Sequence, residues 1–408
     1  MLTVWKEQPN LGITYPEGFV AAGVRCGLKS LGNDLMLLVS DSEASVGGVF
    51  TTNRVQASCV QYSRRVARNG AARAIIVNAG NANACNGEKG EEDNRTLAEW
   101  VSRHLNVAPD FVLTASTGII GHLLPMDKLQ SGIENAVRSL EEGSETDMAA
   151  AEAIMTTDTR PKYAAVEVDS DNWVAPIRFG GMCKGSGMIA PNMATMLCFL
   201  TTDVRMSSEL LQEAITRAIA VSFNSVTVDG DTSTNDMCLA LASGMGQGEI
   251  TRQGAGFEDF VEALSKFCIG LAKEIARDGE GATKLVTVEV IGAALYEHAH
   301  KIAKTIAESP LVKTAIFGND PNWGRLLMAT GRAGVPIDPA VLDVQIGDIT
   351  VCSQGRSIEF DRDAAHAYLA DNTEVTLTVN LNMGDELATV YTCDYSYDYI
   401  KINAEYHT

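Results

Sequence analysis

A glycine-rich segment runs directly into the pattern of a buried strand between residues 180 and 200. It holds one lysine, Lys184, and places Thr195 after Ala194 and before the apolar run 196–200. Glycine adopts backbone conformations that other residues avoid, so the segment favours a tight loop. The functional interpretation is a loop that wraps a small anion and presents a threonine hydroxyl at the start of a strand. The structural alternative is a flexible turn that leads into a strand, and the segment alone fits both.

Composition restricts the class of protein. A chain of 408 residues with 46% hydrophobic residues is typical of a soluble globular protein with about two or three domains. A formal net charge of −20 repels phosphate backbones and anionic lipids, which argues against nucleic-acid and membrane partners. The nine cysteines are scattered and form no C-x-x-C pair. They predict reduced thiols in the cytoplasm, and the start of the chain lacks a signal-peptide pattern.

Periodicity predicts a mixed α and β chain. Apolar residues recur at helical spacing within 97–105, 129–140, 211–219 and 257–275. Alternating strand patterns cover 342–346, 373–381 and 387–393. Ser207 or Ser208 is the predicted cap of the third helix, and Asp320 with Pro321 predicts a further helix start. The change of pattern near residue 285 predicts two domains, 1–285 and 286–408.

Two further loops carry residue types suited to ligand chemistry. Ser116, Thr117 and Gly118 interrupt an apolar strand, and a small hydroxylated residue followed by glycine can direct donors at one point, as an oxyanion hole requires. A plain strand-to-helix turn would look the same. Glu280 stands between two glycines, where it is either a solvated surface residue or a carboxylate for a cationic ligand.

The common catalytic motifs are missing from the sequence. It contains no G-x-x-x-x-G-K-[ST], no G-x-G-x-x-G, no H-E-x-x-H and no G-x-S-x-G. The loop that contains Asp229 and Asp231 lacks the glycine and glutamate of a calcium-binding loop, with Thr234 and Ala240 in their places. We therefore expect neither a metal nor a nucleotide cofactor.

Thr195 offers a different route to a nucleophile. If the chain breaks between Ala194 and Thr195, the new α-amine lies beside the threonine hydroxyl, and its pKa of about 7.7–8.0 suits a general base. Nucleophile and base then belong to one residue. The Thr195 hydroxyl can itself cause the break by attacking the Ala194 carbonyl, after which hydrolysis of the ester releases the amine.

The segment from Lys184 to Leu197 resembles the self-cleavage motif of the ornithine acetyltransferase family, the glutamate N-acetyltransferases of arginine biosynthesis. Further matching segments follow in the expected order over essentially the whole chain. They are residues 78–85, 116–121, 155–159, 227–236, 320–325 and 397–406.

The resemblance implies an acetyltransferase that moves the acetyl group from N2-acetyl-L-ornithine to L-glutamate by a ping-pong mechanism through acetyl-Thr195. It also implies self-cleavage into chains 1–194 (α) and 195–408 (β), which assemble as an α2β2 heterotetramer. The implied fold is α+β: an αββα sandwich similar to N-terminal nucleophile hydrolases, followed by a smaller C-terminal α/β domain that belongs to the β chain.

The resemblance also assigns roles to individual residues. Thr195 is the nucleophile, while Thr117 and Gly118 form the oxyanion hole. The substrate-binding positions are Thr156, Lys184, Thr195, Glu280, Asn403 and Thr408. Two positions depart from the family pattern: Asn319 stands where arginine is expected, and His407 stands in place of the arginine that usually precedes the final threonine.

Three alternatives stay open at the level of sequence. A self-cleaving amidase or aminopeptidase of related architecture would pass the acyl group to water. Acetyl-CoA would be a second acetyl donor in a bifunctional enzyme of the same family. A binding protein would use the same loops for an amino acid without chemistry, although the intact Ala194–Thr195 pair argues against it.

Overall fold

The computed structural model describes residues 1–189 and 196–405. The elements of the first part of the chain are β1 (Leu2–Glu7), β2 (Phe19–Val24), β3 (Leu35–Phe50), α1 (Ser58–Ala67), β4 (Ala71–Asn81), α2 (Gly87–Leu105), β5 (Val112–Ile119), α3 (Met126–Arg138), α4 (Ser144–Ala153), β6 (Lys162–Ser170), β7 (Ile177–Lys184), β8 (Leu197–Thr202), β9 (Arg205–Met206), α5 (Ser208–Val221), β10 (Met237–Ala242), β11 (Glu249–Ile250) and α6 (Ala255–Arg277).

One long strand connects the two halves of the large sheet. The order of neighbours is β1-β6-β7-β8-β10-β3-β4-β5, and β2 also pairs with β3. Residues 35–40 of β3 pair with β2, residues 35–39 and 44–45 pair with β4, and residues 45–50 pair with β10. The register between β3 and β4 shifts between Val39 and Ala44. Because β3 changes partners along its length, it carries the chain from one layer of strands to the other.

Alternation along β8 and β10 separates two hydrophobic cores. Leu197 and Phe199 lie in a core shared with β2, β4, β5 and the helices α1 to α4. Cys198 and Leu200, on the opposite face of β8, lie in a core shared with α5 and α6. Successive side chains of a strand point to opposite faces, so the layers follow the order helix, sheet, sheet, helix. This arrangement confirms the predicted α+β class and the αββα sandwich.

A second sheet follows along the chain. Its part of the structure comprises β12 (Leu285–Ala293), α7 (Tyr296–Ala307), α8 (Pro310–Phe317), α9 (Trp323–Gly331), β13 (Asp343–Ile346), β14 (Ile349–Ser353), β15 (Arg356–Ser357), α10 (Arg362–Asp371), β16 (Glu374–Asn380), β17 (Glu386–Cys393) and α11 (Tyr397–Glu405). The strand order is β15-β14-β13-β16-β12-β17, with a core of its own beneath α7 and α9. The predicted division at residue 285 stays a prediction.

Two predicted helix starts can be compared with the structure, and one of them is confirmed. Ser207 caps α5, and its hydroxyl accepts the Leu210 N–H at 3.4 Å, as predicted. The predicted helix start at Asp320 is wrong, because α9 begins at Trp323 and Asn322 is its cap. The Asn322 side chain accepts the Arg325 N–H at 3.3 Å. Asparagine caps helices as well as aspartate does, and Asn322 is the residue in reach of the first turn.

No helix in the two described ranges is long and apolar enough to span a membrane.

Candidate active site

A pocket lies where the ends of β4, β5 and β7 meet the turn that follows α6. It encloses about 650 Å³ of non-protein space, including its opening to solvent. Its lining combines hydroxyl groups, one lysine, one glutamate and two amides with few apolar side chains. The residues are Ala82, Thr117, Gly118, Ile120, Thr156, Thr157, Lys184, Gly187, Met188, Ser233, Thr234, Asn235, Glu280 and Asn403. A concave site with convergent polar groups is the usual form of a small-molecule site.

Thr117 and Gly118 end the parallel strand pair at one wall of the pocket. Gly118 lies opposite Gly80 with a φ of +129°, and a side chain at this position would overlap the backbone of Gly80. Only glycine therefore fits here. Thr117 is 8% exposed, and its hydroxyl has no hydrogen-bond partner among the described residues. A free hydroxyl beside a glycine backbone can donate to an oxyanion.

Asn235 fixes that wall to the loop before β10. Its side-chain amide donates to the carbonyl of Ala82 at 2.6 Å and to the carbonyl of Ser116 at 2.8 Å. Its own N–H donates to the Ser233 hydroxyl at 3.1 Å. One buried amide thus satisfies backbone groups at the ends of both β4 and β5, which keeps the proposed oxyanion donors in place.

Lys184 ends β7 opposite Leu197, the first residue of β8. It is only 4% exposed. Within residues 1–189 and 196–405 its ammonium has neither a hydrogen bond nor an ion pair. Burial lowers the pKa of Lys184 below its usual range, and the negative charge of Asp158 is the largest influence in the opposite direction. A buried, unpaired cation beside a pocket is suited to an anionic ligand group.

Glu280 faces the same pocket from the turn after α6. It is 8% exposed, and its carboxylate accepts the side-chain amide of Asn403 at 2.8 Å. A side chain at Gly187 would overlap this carboxylate, so the glycine allows the close approach. Lys184 and Glu280 line one pocket with opposite charges, and that combination suits an amino acid with both a carboxylate and an ammonium group.

Two further threonines also line the pocket. Thr156 and Thr157 precede β6, and the Thr157 hydroxyl lies 2.7 Å from the hydroxyl of Ser186. The Thr156 N–H donates to the buried carboxylate of Asp158 at 3.0 Å. The Thr157–Ser186 contact joins the segment before β6 to the turn after β7, and the Thr156–Asp158 bond holds that segment in shape.

The start of β8 borders this arrangement. The Met196 carbonyl accepts the N–H of Met237 at 3.2 Å, and β8 then runs between β7 and β10. Thr195 lies outside the described residues, but it is bonded to Met196. In sequence, the predicted nucleophile thus stands two positions before Leu197, the residue of β8 that pairs with Lys184.

Comparison with known proteins decides the family. The chain matches the ArgJ family over residues 20–408. A relative from Nostoc sp., named arginine biosynthesis bifunctional protein ArgJ 1, is 49% identical and covers 99% of both chains. A relative from Bacillus cereus, named arginine biosynthesis bifunctional protein ArgJ, is 43% identical over 98% of this chain and 97% of its own. The chain belongs to the ArgJ family.

Solved structures include two ArgJ-like chains. Arginine biosynthesis bifunctional protein argJ from Bacillus halodurans is 44% identical, with a TM-score of 0.50, and covers 51% of this chain and 98% of its own. An ornithine acetyltransferase complexed with ornithine from Mycobacterium tuberculosis is 39% identical, with a TM-score of 0.43, and covers 47% of this chain and 100% of its own.

The site residues implied by the ArgJ resemblance divide into two groups. Six of them line the one pocket, although they come from five separate parts of the sequence: Thr117, Gly118, Thr156, Lys184, Glu280 and Asn403. Ala194, Thr195 and Thr408 lie outside the described residues. The roles assigned to all of them stay predictions.

The ArgJ pocket also contains residues that sequence reasoning did not single out. Asn235 and Ser233 line the pocket, and the sequence pointed to them only as part of the matching segment 227–236. Thr234, also a lining residue, was considered only within that segment and for a calcium-binding loop. Asp158, which accepts the Thr156 N–H beside the pocket, lies within the matching segment 155–159. The polar run that follows Val228 was the available signal for Asn235, Ser233 and Thr234. Nothing in the sequence showed that Asn235 reaches the ends of β4 and β5, because those contacts join residues more than a hundred positions apart.

Asn319, where the resemblance led us to expect arginine, lies in a conformation that suits asparagine. Asn319 has a φ of +54°, a left-handed conformation that asparagine tolerates better than most residues. Its carbonyl lies 2.7 Å from the His366 ring. His407 lies outside the described residues. In the part of the chain that is described, no group of three or more His, Cys, Asp or Glu side chains could hold a metal ion.

Proposed function

We propose that this protein transfers the acetyl group of N2-acetyl-L-ornithine to L-glutamate in arginine biosynthesis, by a ping-pong mechanism through an acetyl ester of Thr195. Family membership supports the pathway, since the relatives carry arginine biosynthesis in their names. The observation that carries the proposal is the pocket, in which Lys184, Glu280 and the pair Thr117–Gly118 meet beside the start of β8.

The charged residues of the pocket orient the substrate. Lys184 has no partner in the described ranges, so a substrate carboxylate can supply the missing counter-charge without breaking an existing bond. Glu280, already held by Asn403, receives the side-chain ammonium of acetylornithine. Charge-assisted hydrogen bonds of this kind are about twice as strong as neutral ones and fix the direction of the substrate.

The first half-reaction forms the ester. The Thr195 hydroxyl attacks the acetyl carbonyl while the α-amine of Thr195 takes the hydroxyl proton. Thr117 and Gly118 donate to the oxyanion of the tetrahedral intermediate. Collapse breaks the amide C–N bond, and the proton passes from the Thr195 amine to the departing amine of ornithine.

The second half-reaction reverses these steps with a new amine. The α-amine of glutamate attacks the ester carbonyl, the same donors stabilise the oxyanion, and the C–O bond to Thr195 breaks as the amide forms. The hydroxyl of Thr195 regains its proton. Acetyl thus moves between two amines of similar chemistry, and neither a metal nor a nucleotide cofactor takes part.

Self-cleavage before Thr195 supplies the amine that this mechanism needs, and it yields chains 1–194 and 195–408 that remain together as an α2β2 assembly in the cytoplasm. The solved Bacillus halodurans chain supports a two-chain mature form, because 98% of that chain corresponds to only 51% of this one. The full-length relatives, in contrast, cover nearly all of this chain.

Acetyl-CoA is a candidate second donor. The word bifunctional in the names of the relatives favours a search for a second activity. In this version acetyl-CoA acetylates Thr195, and glutamate then removes the acetyl group as before. An assay with acetyl-CoA and glutamate alone measures this activity separately from transfer out of acetylornithine.

The test combines N-terminal sequencing with product analysis. We expect one fragment that begins at Thr195, and equal amounts of acetylglutamate and ornithine with little acetate. Thr195→Ala should remain one chain and make no acetylglutamate. Thr195→Ser keeps a hydroxyl at this position and should retain part of both self-cleavage and acetyl transfer. Acetate in proportion to ornithine would identify an amidase. An uncleaved wild-type protein without product would indicate a binding protein, and an active, cleaved Thr195→Ala would exclude the mechanism.

A further inference from the structure

Three segments of the pocket meet at one buried ion cluster, the ion triad, formed by Asp158, Lys162 and Asp278. The Lys162 ammonium lies 2.6 Å from a carboxylate oxygen of Asp158 and 2.5 Å from one of Asp278. None of the three side chains is more than 4% exposed. Buried charges persist in proteins when they are paired and hydrogen-bonded, as they are here.

Asp158 connects two of the pocket segments through their backbones. Its carboxylate accepts the N–H of Thr156 at 3.0 Å and the N–H of Gly185 at 2.7 Å. Thr156 is a pocket residue, and Gly185 directly follows Lys184. A single carboxylate therefore connects the segment before β6, which carries the Thr156 hydroxyl, to the end of β7, which carries the Lys184 ammonium.

Asp278 connects the third segment. Its carboxylate accepts the Thr159 N–H at 3.1 Å and also the Thr159 hydroxyl. It stands two residues before Glu280, whose N–H donates to the carbonyl of Ser186 at 2.9 Å. The triad thus reaches each of the segments that carry Thr156, Lys184 and Glu280, and Lys162 is the group they share.

The charges around Lys184 act in both directions. Burial lowers its pKa, Asp158 raises it, Lys162 lowers it, and Asp236 and Glu280 raise it. Lys29, on the loop between β2 and β3, adds a further positive charge nearby. Burial alone would raise the pKa of Asp158, but Lys162 and Lys184 bring it down to about 2, so this carboxylate is charged at neutral pH.

We propose that Asp158, supported by Lys162 and Asp278, is the positioning residue of the substrate-binding lysine: it fixes the backbone at Thr156 and Gly185 and places a negative charge near Lys184 without an ion pair between the two. The inference rests on the proposed function, in which Lys184 binds the substrate carboxylate. Asp158 itself touches no substrate.

The decisive measurement is the pH dependence of KM for acetylornithine, made on fully cleaved enzyme. Lys184 binds a carboxylate only when protonated, so KM rises as the pH passes its pKa. Asp158→Asn keeps the size of the side chain but removes its charge, which lowers the pKa of Lys184 further. In the variant, the alkaline rise in KM should then begin about one pH unit lower than in the wild type. At a pH between these two rises, KM of the variant should be up to about tenfold higher than that of the wild type, with a smaller change in kcat.

Asp278→Asn is the matched control. Like Asp158→Asn, it removes a negative charge from beside Lys162 with little change in side-chain size. Asp278, however, accepts its hydrogen bonds from Thr159 and Lys162 and not from Thr156 or Gly185. We expect a similar loss of melting temperature and an alkaline limb of KM that stays at the wild-type pH. A general weakening of the structure would shift the alkaline rise in KM in both variants. Positioning of Lys184 by Asp158 predicts a shift in Asp158→Asn and none in Asp278→Asn.

Lys162→Gln should shift the rise in KM in the opposite direction to Asp158→Asn. It provides an independent test if Asp158→Asn does not fold. Lys162 lowers the pKa of Lys184, so its removal should move the rise in KM to higher pH. The inference would be overturned if KM depended on pH in the same way in the two aspartate variants. It would also be overturned if the rise in KM of Lys162→Gln moved to lower pH. A wild-type enzyme that makes no acetylglutamate would instead refute the proposed function, whatever the variants do.

Discussion

Two buried lysines in two regions of the molecule have opposite surroundings. Lys313, on α8 in the C-terminal part, is 1% exposed, and Lys184 in the pocket is 4% exposed. Lys313 donates to the Thr392 hydroxyl at 2.8 Å and to the Cys393 carbonyl, and it lies 4.5 Å from the centre of the Tyr395 ring. Lys184 makes no such bond to any described residue. Burial lowers the pKa of both.

The difference separates a structural role from a binding role. When all the N–H groups of a buried ammonium donate hydrogen bonds, these bonds offset much of the free-energy cost of its desolvation. They also connect the elements around it and so stabilise the fold. A buried ammonium without partners raises the free energy of the empty site, and that cost is recovered when an anion binds. A buried charge that lacks hydrogen-bond partners is expected at a functional site rather than in the hydrophobic core that supports it.

The largest effect should come from Lys184→Met. We expect KM for acetylornithine to rise by about 10²-fold or more, because loss of one partner of a buried charge pair costs about 2–5 kcal/mol. The free energy of unfolding of the unliganded protein should stay the same or increase, since an unpaired buried charge disappears. Steady-state kinetics and urea denaturation measure the two quantities. An unchanged KM together with lower stability would show that Lys184 is structural like Lys313.

Gly118→Ala should have the next largest effect, on kcat. The new side chain would overlap the backbone of Gly80, and the φ of +129° is unfavourable for alanine. Displaced oxyanion donors typically cost about 10²–10³-fold in rate, so both kcat and the rate of self-cleavage should fall.

A matched control for this glycine lies in the C-terminal part. Gly355 has a φ of +67°, and a side chain there would overlap the carbonyl of Pro339. Gly355→Ala should lower the melting temperature while kcat of the folded fraction stays at the wild-type value. Equal losses of kcat in both variants would mean that backbone strain anywhere in the fold impairs catalysis.

Lys313→Met should reverse the pattern expected of Lys184→Met. Removing the ammonium leaves the Thr392 hydroxyl and the Cys393 carbonyl without their donor, which costs about 1–3 kcal/mol of unfolding free energy. KM should not change. Denaturation curves and kinetics on the same preparation test both statements, and a raised KM would show that the two regions are coupled.

The smallest effect should come from Asn403→Ala. Asn403 holds the Glu280 carboxylate with one hydrogen bond of 2.8 Å, and hydrogen bonds to charged groups contribute about 1.5–3 kcal/mol at most. Part of this is regained because water can replace the amide at the edge of the pocket. We expect KM to rise roughly 3–10-fold with little change in kcat. A loss as large as that of Lys184→Met would mean that Asn403 binds substrate directly.

Sequence patterns predicted the elements where one periodicity dominates. The apolar face at 257–275 became α6, and the alternation at 373–381 and 387–393 became β16 and β17. Boundaries were less certain where two capping residues compete, so the helix expected from Asp320 begins at Trp323. The helix expected over 129–140 likewise ends at Arg138, which leaves Leu140 outside it.

The sequence by itself determined the family, the fold class and the residue types of the site, because local periodicity and ordered motifs are properties of the chain. For the glycine-rich segment it predicted that Lys184 binds a ligand. Only the tertiary structure decided that Lys184 has no hydrogen bond or ion pair with any described residue while Lys313 has several bonds, and that Asp158, Lys162 and Asp278 join three segments of the pocket. Hydrogen bonds and burial depend on residues far apart in sequence, and no local pattern specifies which of them meet.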